Sequence, residues 1–205
     1  MSHSILPGVI LMFQFIAGVD IEGHTVREPI PPASEEEVVH LESIINGKLP
    51  ADYREFLKKI NGGRIDTDEH LGKYACFKVK WSSGQRWGSG EDSIILGNLY
   101  SLNYDFLKRV LKNTNPPFEI YEALETFRST GDLRIPEDTM AIGDDPGSNQ
   151  ILLGINGDNR GKVFYWFREG EKDPDDPNPP GYDNIGFVAD TFNEFLNSIH
   201  ECSFE

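Results

Sequence analysis

Residues 135–169, IPEDTMAIGDDPGSNQILLGINGDNRGKVFYWFRE, constrain this chain more than any other stretch. They read as strand, acidic turn, strand, tight turn, strand. Residues 140–142 form a short apolar edge, and residues 143–149 are dense in turn formers. Residues 150–155 are nearly all apolar, which predicts a strand covered on both faces. Residues 156–161 turn the chain back into Val163, Phe164, Tyr165, Trp166 and Phe167, the most aromatic run in the sequence. β-Branched and aromatic residues bounded by Asn/Gly turns signal a hairpin. This hairpin is expected at the centre of a sheet, with helices before and after it packing on one face.

The flanks carry helix signals. Ser34-Glu35-Glu36-Glu37 is a capping box, and Val38, Leu41 and Ile44/Ile45 follow at helical spacing up to a stop at Gly47. Pro50 suits the first turn of a second helix, with Tyr53, Phe56, Leu57 and Ile60 on one stripe. Asn61-Gly62-Gly63 ends it with residues that tolerate positive φ. Residues 74–80 and 93–99 read as strands, residues 103–112 as a short helix, and another helix begins at Asn115-Pro116. Residues 185–188 form a last strand before Thr191-Phe192-Asn193-Glu194, a second capping box. Helices early and late with strands between them predict an α+β fold: a central, mostly antiparallel sheet with helices packed mainly on one face. Residues 34–205 read as a single domain. Residues 1–33 read as an N-terminal arm or extra strand, because the apolar run 9–19 has no Lys or Arg before it to make a secretory leader.

Charge limits the partners. Lys and Arg total 19 against 34 Asp and Glu, a formal net charge of −15. Residues 131–185 alone hold twelve acids and five bases, so this half carries much of the field. Phosphate backbones and anionic membranes are repelled by such a surface, which excludes both as partners, whereas a basic protein is attracted. No segment reaches the roughly 18 apolar residues that span a bilayer. Cys76 and Cys202 lie far apart with no CxxC or metal spacing, and are read as free thiols in a reducing, cytoplasmic compartment.

A search for chemistry finds little. GxSxG and HExxH are absent, and His3, His24, His40, His70 and His200 are scattered. Gly157 to Val163 has the wrong spacing for a phosphate loop, and Val163 stands where Ser or Thr must hold magnesium. Asp144 and Asp145 are adjacent rather than convergent, so turn formation outweighs acid–base work. Asp173, Asp175 and Asp176 lack the glycine and closing glutamate of a calcium loop. The reading is therefore a non-enzymatic chain without cofactor or metal. The loop of residues 81–92 is Gly/Ser-rich yet carries Trp81, Arg86 and Trp87, residue types that either pin a loop to the core or anchor an interface. A partner surface is expected to join this loop to the turn of Asp144, Asp145 and Asn149 and to Asp173, Asp175 and Asp176. Monomer and homodimer both fit.

Residues 49–63, 142–166 and 192–199, taken together and in that order, resemble the SUKH superfamily, the Smi/Knr-like proteins. Leu49-Pro50-Ala-Asp-Tyr53-Arg-Glu-Phe56-Leu57-Lys-Lys-Ile-Asn61-Gly62-Gly63 is similar to its first signature. Ile142-Gly143-Asp144-Asp145 leading to Leu152, then Gly161-Lys162-Val163-Phe164-Tyr165-Trp166, is similar to its second. Residues 192–199 resemble its closing helix. The resemblance covers about residues 34–200 and implies an α+β fold with no catalytic residue. It further implies a protein-binding role, either as a bacterial immunity protein that neutralises a cognate toxin, often a nuclease, or as a regulatory scaffold like the fungal members linked to cell-wall synthesis.

Overall fold

The computed structural model describes residues 29–65, 72–82, 90–102, 119–129, 132–171 and 178–203, with residues 67 and 173 and strand pieces at 15–16, 20–21 and 24–25. In chain order these are β1 (Phe15–Ile16), β2 (Asp20–Ile21), β3 (His24–Thr25), α1 (Glu35–Ile44), α2 (Ala51–Lys59), β4 (Arg64–Ile65), β5 (Lys73–Trp81) and β6 (Gly90–Ile95). Then come α3 (Ile120–Arg128), β7 (Asp132–Leu133), β8 (Thr139–Asp144), β9 (Gln150–Gly154), β10 (Val163–Trp166), β11 (Ile185–Ala189), α4 (Phe192–Ser198) and β12 (His200–Ser203). The helix expected over residues 103–112 and the Asn115-Pro116 helix start lie outside the described residues.

α1 and α4 begin where the sequence says they should, whereas α3 begins only at Ile120, after an extended Glu119 and beyond the expected Asn115-Pro116 start. Ser34 Oγ accepts from the Glu37 amide at 3.1 Å, and Glu37 Oε2 accepts from the Ser34 amide at 2.7 Å. At α4 the box is shifted. Thr191 Oγ1 caps the Glu194 amide at 3.0 Å, but Glu194 Oε2 reaches the Asp190 amide at 3.1 Å. The α1 stop also differs by a residue: Asn46 takes the left-handed conformation (φ 51°), and the Gly47 amide closes onto Glu42 O.

β5 to β12, without the short β7, form one antiparallel sheet of seven strands. The order runs β6, β5, β11, β10, β9, β8, and β12 lies beside β5 next to β11. β11 and β12 share one edge of β5. Phe187 faces Lys80 and His200 faces Cys76, so the partner advances thirteen residues while β5 retreats four. The nine extra residues are looped out, and α4 is built from them. Directly after β6 the same segment passes from β5 to β8: Leu96 N donates to Ala75 O, whereas Gly97 N donates to Asp144 O, Asp144 N to Asn98 O and Tyr100 N to Ile142 O, so the sheet curls until both its ends border this segment. The outer edge of β8 is thereby covered.

Neighbouring residues on a strand point to opposite faces, so Tyr165 and Trp166 divide the core. On the Tyr165 side lie Phe77 and Trp81, and Phe77 meets Phe195 of α4 edge-on. Phe192 of α4 packs in turn on Tyr53 and Phe56 of α2. On the Trp166 side lies Phe127 of α3. α2 and α4 thus cover one face and α3 the other, while α1 packs on α2 and touches α3 through His40 and Tyr121. Every residue of β8, β9 and β10 is buried, and β9 and β10 sit inside the sheet as expected. Phe15 is buried against Phe56, and β1 pairs with β4.

The cysteines require a correction: the sulfurs of Cys76 and Cys202 are bonded, and neither is a free thiol. Pairing of β12 with β5 sets their Cα atoms 5.9 Å apart, a proximity that 126 residues of sequence separation conceal. The segment after β10 also packs more than its prolines suggest. Tyr182 lies edge-on to Phe164, donates to Asp138 Oδ1 at 2.8 Å and accepts from Asn159 Nδ2 at 2.9 Å.

Candidate partner-binding surface

β8 ends in a turn that uses both its aspartates. Asp145 Oδ1 accepts from the Asn149 amide and Oδ2 from Asn149 Nδ2, each at 2.9 Å. The hydroxyl of Tyr165 donates to the same Oδ2 at 2.7 Å. Ser148 supplies the positive φ (66°) that the turn requires. Asn149 Oδ1 accepts from the Arg168 amide, which ties the turn to the end of β10. Asp144 faces the other way. Its Oδ1 accepts from the Asn98 amide at 2.9 Å and from Asn98 Nδ2 at 3.2 Å. Gly97 belongs there because a Cβ would lie 2.6 Å from that oxygen. Burial pushes the Asp144 carboxyl up to about 6, against the lowering effect of the Asn98 hydrogen bonds. The two carboxylates are turned apart and do not converge on a common atom. Among the described residues, no three His, Cys, Asp or Glu side chains are grouped to hold a metal.

Trp81 is the last residue of β5, not part of the loop. Its indole is buried, lies edge-on to Tyr165 at 6.1 Å and donates from Nε1 to Asp92 Oδ2 at 2.7 Å. A continuous chain of contacts therefore runs from Asp92 through Trp81, Tyr165 and Asp145 to Asn149. Of the residues expected at a partner surface, Trp81, Asp144, Asp145 and Asn149 come together at this corner, largely through bonds to one another and to the core. Asp173 is exposed. Arg86, Trp87, Asp175 and Asp176 lie outside the described residues.

Sequence reasoning missed the outer edge of β6. Leu96 N donates to Ala75 O, so alternate residues of β6 turn their backbone groups toward β5. Glu91, Ser93 and Ile95 have the opposite parity and face outward. Among the described residues no strand pairs with that edge. Residues 90–93 are all exposed, and two of the four are acids. Charged residues are a common device for keeping a bare edge from pairing with its own kind. The signal for this edge was present in Gly90-Glu91-Asp92-Ser93, which is too polar for an interior strand.

A seven-stranded antiparallel sheet with helices on both faces, whose polar groups shape turns and edges, defines an α+β domain. Residues 32–198 match the SMI1/KNR4 family (SUKH-1), and the chain belongs to that family. It is similar to the SPbeta prophage-derived uncharacterized protein YokK of Bacillus subtilis (strain 168), with 26% identity over 168 residues, covering 80% of this chain and 73% of that protein. Members of the family are generally non-enzymatic proteins of immunity or regulatory type that bind protein partners. No described helix is long and apolar enough to cross a membrane.

Proposed function

We propose that this chain is a non-enzymatic protein-binding domain of the immunity type, which neutralises a cognate basic, nuclease-type toxin by covering it. The observation that carries this reading is the charge. A net −15 exceeds the roughly 2–8 charges that suffice to keep a small domain soluble, and residues 131–185 contribute twelve acids against five bases. An acidic surface steers a cationic partner and competes with the phosphates that such a partner otherwise binds. The contact surface comprises Asp92 and the outer edge of β6, the Asp145–Asn149 turn, and the loop of Asp173, Asp175 and Asp176. Arg86 and Trp87 belong to it through the loop that joins β5 to β6.

The test is a titration against the purified product of the adjacent gene at several salt concentrations. Association slows steeply as salt rises, by about tenfold or more between 50 and 500 mM, because the Debye length shrinks to a few ångströms. Reversal of Asp173, Asp175 and Asp176 to lysine weakens binding by at least about tenfold, without touching the internally bonded Asp144 and Asp145. Binding indifferent to both salt and reversal refutes the electrostatic reading. A housekeeping cell-envelope protein as the partner would move the assignment to a regulatory scaffold.

A further inference from the structure

β12 is an unusual strand for one that carries a cross-link. Its side chains alternate between half-buried and exposed, and none is buried. Among the described residues it pairs with β5 alone, over Lys73 to Cys76. A further side-chain tie to β5 is the Lys73–Glu201 ion pair at 3.1 Å, between two groups that are largely in water and contribute little. The residues just before it are different: Phe192, Phe195, Leu196 and Ile199 are in the core. Anchorage of the chain thus stops at Ile199. Beyond that point β12 is held by four residues of ladder and by the bond from Cys202 to Cys76, which is fully buried.

We propose that the Cys76–Cys202 bond is a thiol-responsive latch on the C-terminal strand. When it is reduced, β12 leaves β5 and residues 73–76 become an open sheet edge, while α4 and the strands from β11 to β8 remain in place. The proposal is independent of the partner reading above. Access favours one direction of attack, because Cys202 is half-exposed and Cys76 is shielded. A thiolate of a dithiol reductant attacks Cys202 Sγ. The protein disulfide breaks, and Cys76 departs as a thiolate that takes up a proton. The second thiol of the reductant then attacks the mixed disulfide, closes the reductant's own disulfide and releases Cys202 as a thiol. One protein disulfide and one dithiol become two protein thiols and one reductant disulfide, a two-electron exchange that any disulfide oxidant reverses. A stable structural cross-link is shielded and ties core to core, whereas this one ties the core to a strand that buries nothing of its own.

The test is hydrogen exchange read by mass spectrometry on the whole chain, air-oxidised and then treated with dithiothreitol. Alkylation first establishes the state: no thiol reacts before reduction and two react after it. Expected is exchange at least about tenfold faster over residues 200–203 and 73–76 after reduction, with residues 150–154 and 163–166 unchanged. Cys202→Ser behaves like the reduced protein with or without dithiothreitol. Reactive thiols in the oxidised sample, equal protection of residues 200–203 in both states, or loss of protection through β9 and β10 on reduction each overturn the proposal.

Discussion

The two ends of this sheet obey different rules. Every residue within strands β8, β9 and β10 is buried, and glycines stand where there is no room for a side chain. A Cβ on Gly154 would lie 1.8 Å from the carbonyl oxygen of Asn159, and one on Gly143 would lie 2.5 Å from that of Asn98. At the β5–β6 end, Lys78 and Lys80 point into water and residues 90–93 are exposed. The glycine there, Gly90, has open space around it and is required only for its φ of +80°. One end is packed on both faces; at the other, β5 is packed on one face through Phe77, Val79 and Trp81, and the outer part of β6 is held mainly by backbone conformation and pairing. Freedom to present charge, accept a partner or open a strand therefore lies at the second end.

The largest expected effect tests that contrast directly. In Gly154→Ala the new methyl meets backbone, which cannot rotate aside, so β9 must separate from the turn at Asn159. A loss of about 4 kcal/mol is expected, the size reserved for overpacked or strained core sites. Gly90→Ala costs about 1 kcal/mol, the ordinary penalty of a left-handed residue. Denaturant midpoints of the two variants measure the difference. Equal losses would mean that the β5–β6 end is packed as tightly as the centre.

The second test uses carboxyls in the two kinds of environment. Glu119 caps α3 from a buried position. Its Oε2 accepts from the Tyr121 and Glu122 amides, and its Oε1 is buried without a partner among the described residues. Burial pushes its carboxyl up to about 7. The folded protein thus holds a proton that the unfolded chain releases near 4.5. The stabilisation is complete below about pH 4.5 and is lost as pH rises through 7, amounting to about 3 kcal/mol. Glu119→Gln removes that slope, so its stability relative to the parent should improve between pH 4.5 and 8. Glu35 gives the opposite sign. Hydrogen bonds from Arg54 and Lys58 hold its carboxyl down at about 2, so its contribution is present above 4.5 and lost as pH falls toward 2. Parallel slopes for Glu119→Gln and Glu35→Gln would erase the distinction between buried and exposed sites.

The central hairpin, the Ser34 capping box and the stripe of Tyr53, Phe56 and Leu57 were legible because each is local: periodicity and turn chemistry act over a few residues. The corner was legible only in part. Asp144, Asp145 and Asn149 were found as turn formers, but Tyr165 as their hydrogen-bond donor depends on the register of β10 against β9 and β8. The disulfide was illegible for the same reason carried further. Nothing in the neighbourhood of Cys76 or Cys202 reveals that α4 is an excursion within one line of pairing along β5. Trp81 was assigned to the loop because Gly and Ser follow it, yet its own strand extends to include it.

Trp81 is where the two ends meet, and the smallest expected effect falls there. Its ring packs on Tyr165, as a central residue would, while its indole N–H reaches Asp92 on the exposed strand. Trp81→Phe keeps the ring contact and removes the hydrogen bond. Asp92 is in water and pays no burial penalty when released, so the loss is about 1 kcal/mol, that of a single hydrogen bond. If Trp81 serves only to pin the strand, affinity for the basic partner is unchanged at temperatures where the variant is folded. If instead affinity drops by more than about tenfold at unchanged stability, the indole itself touches the partner. The boundary between the packed end and the presenting end would then lie one strand further in, at β5 rather than β6.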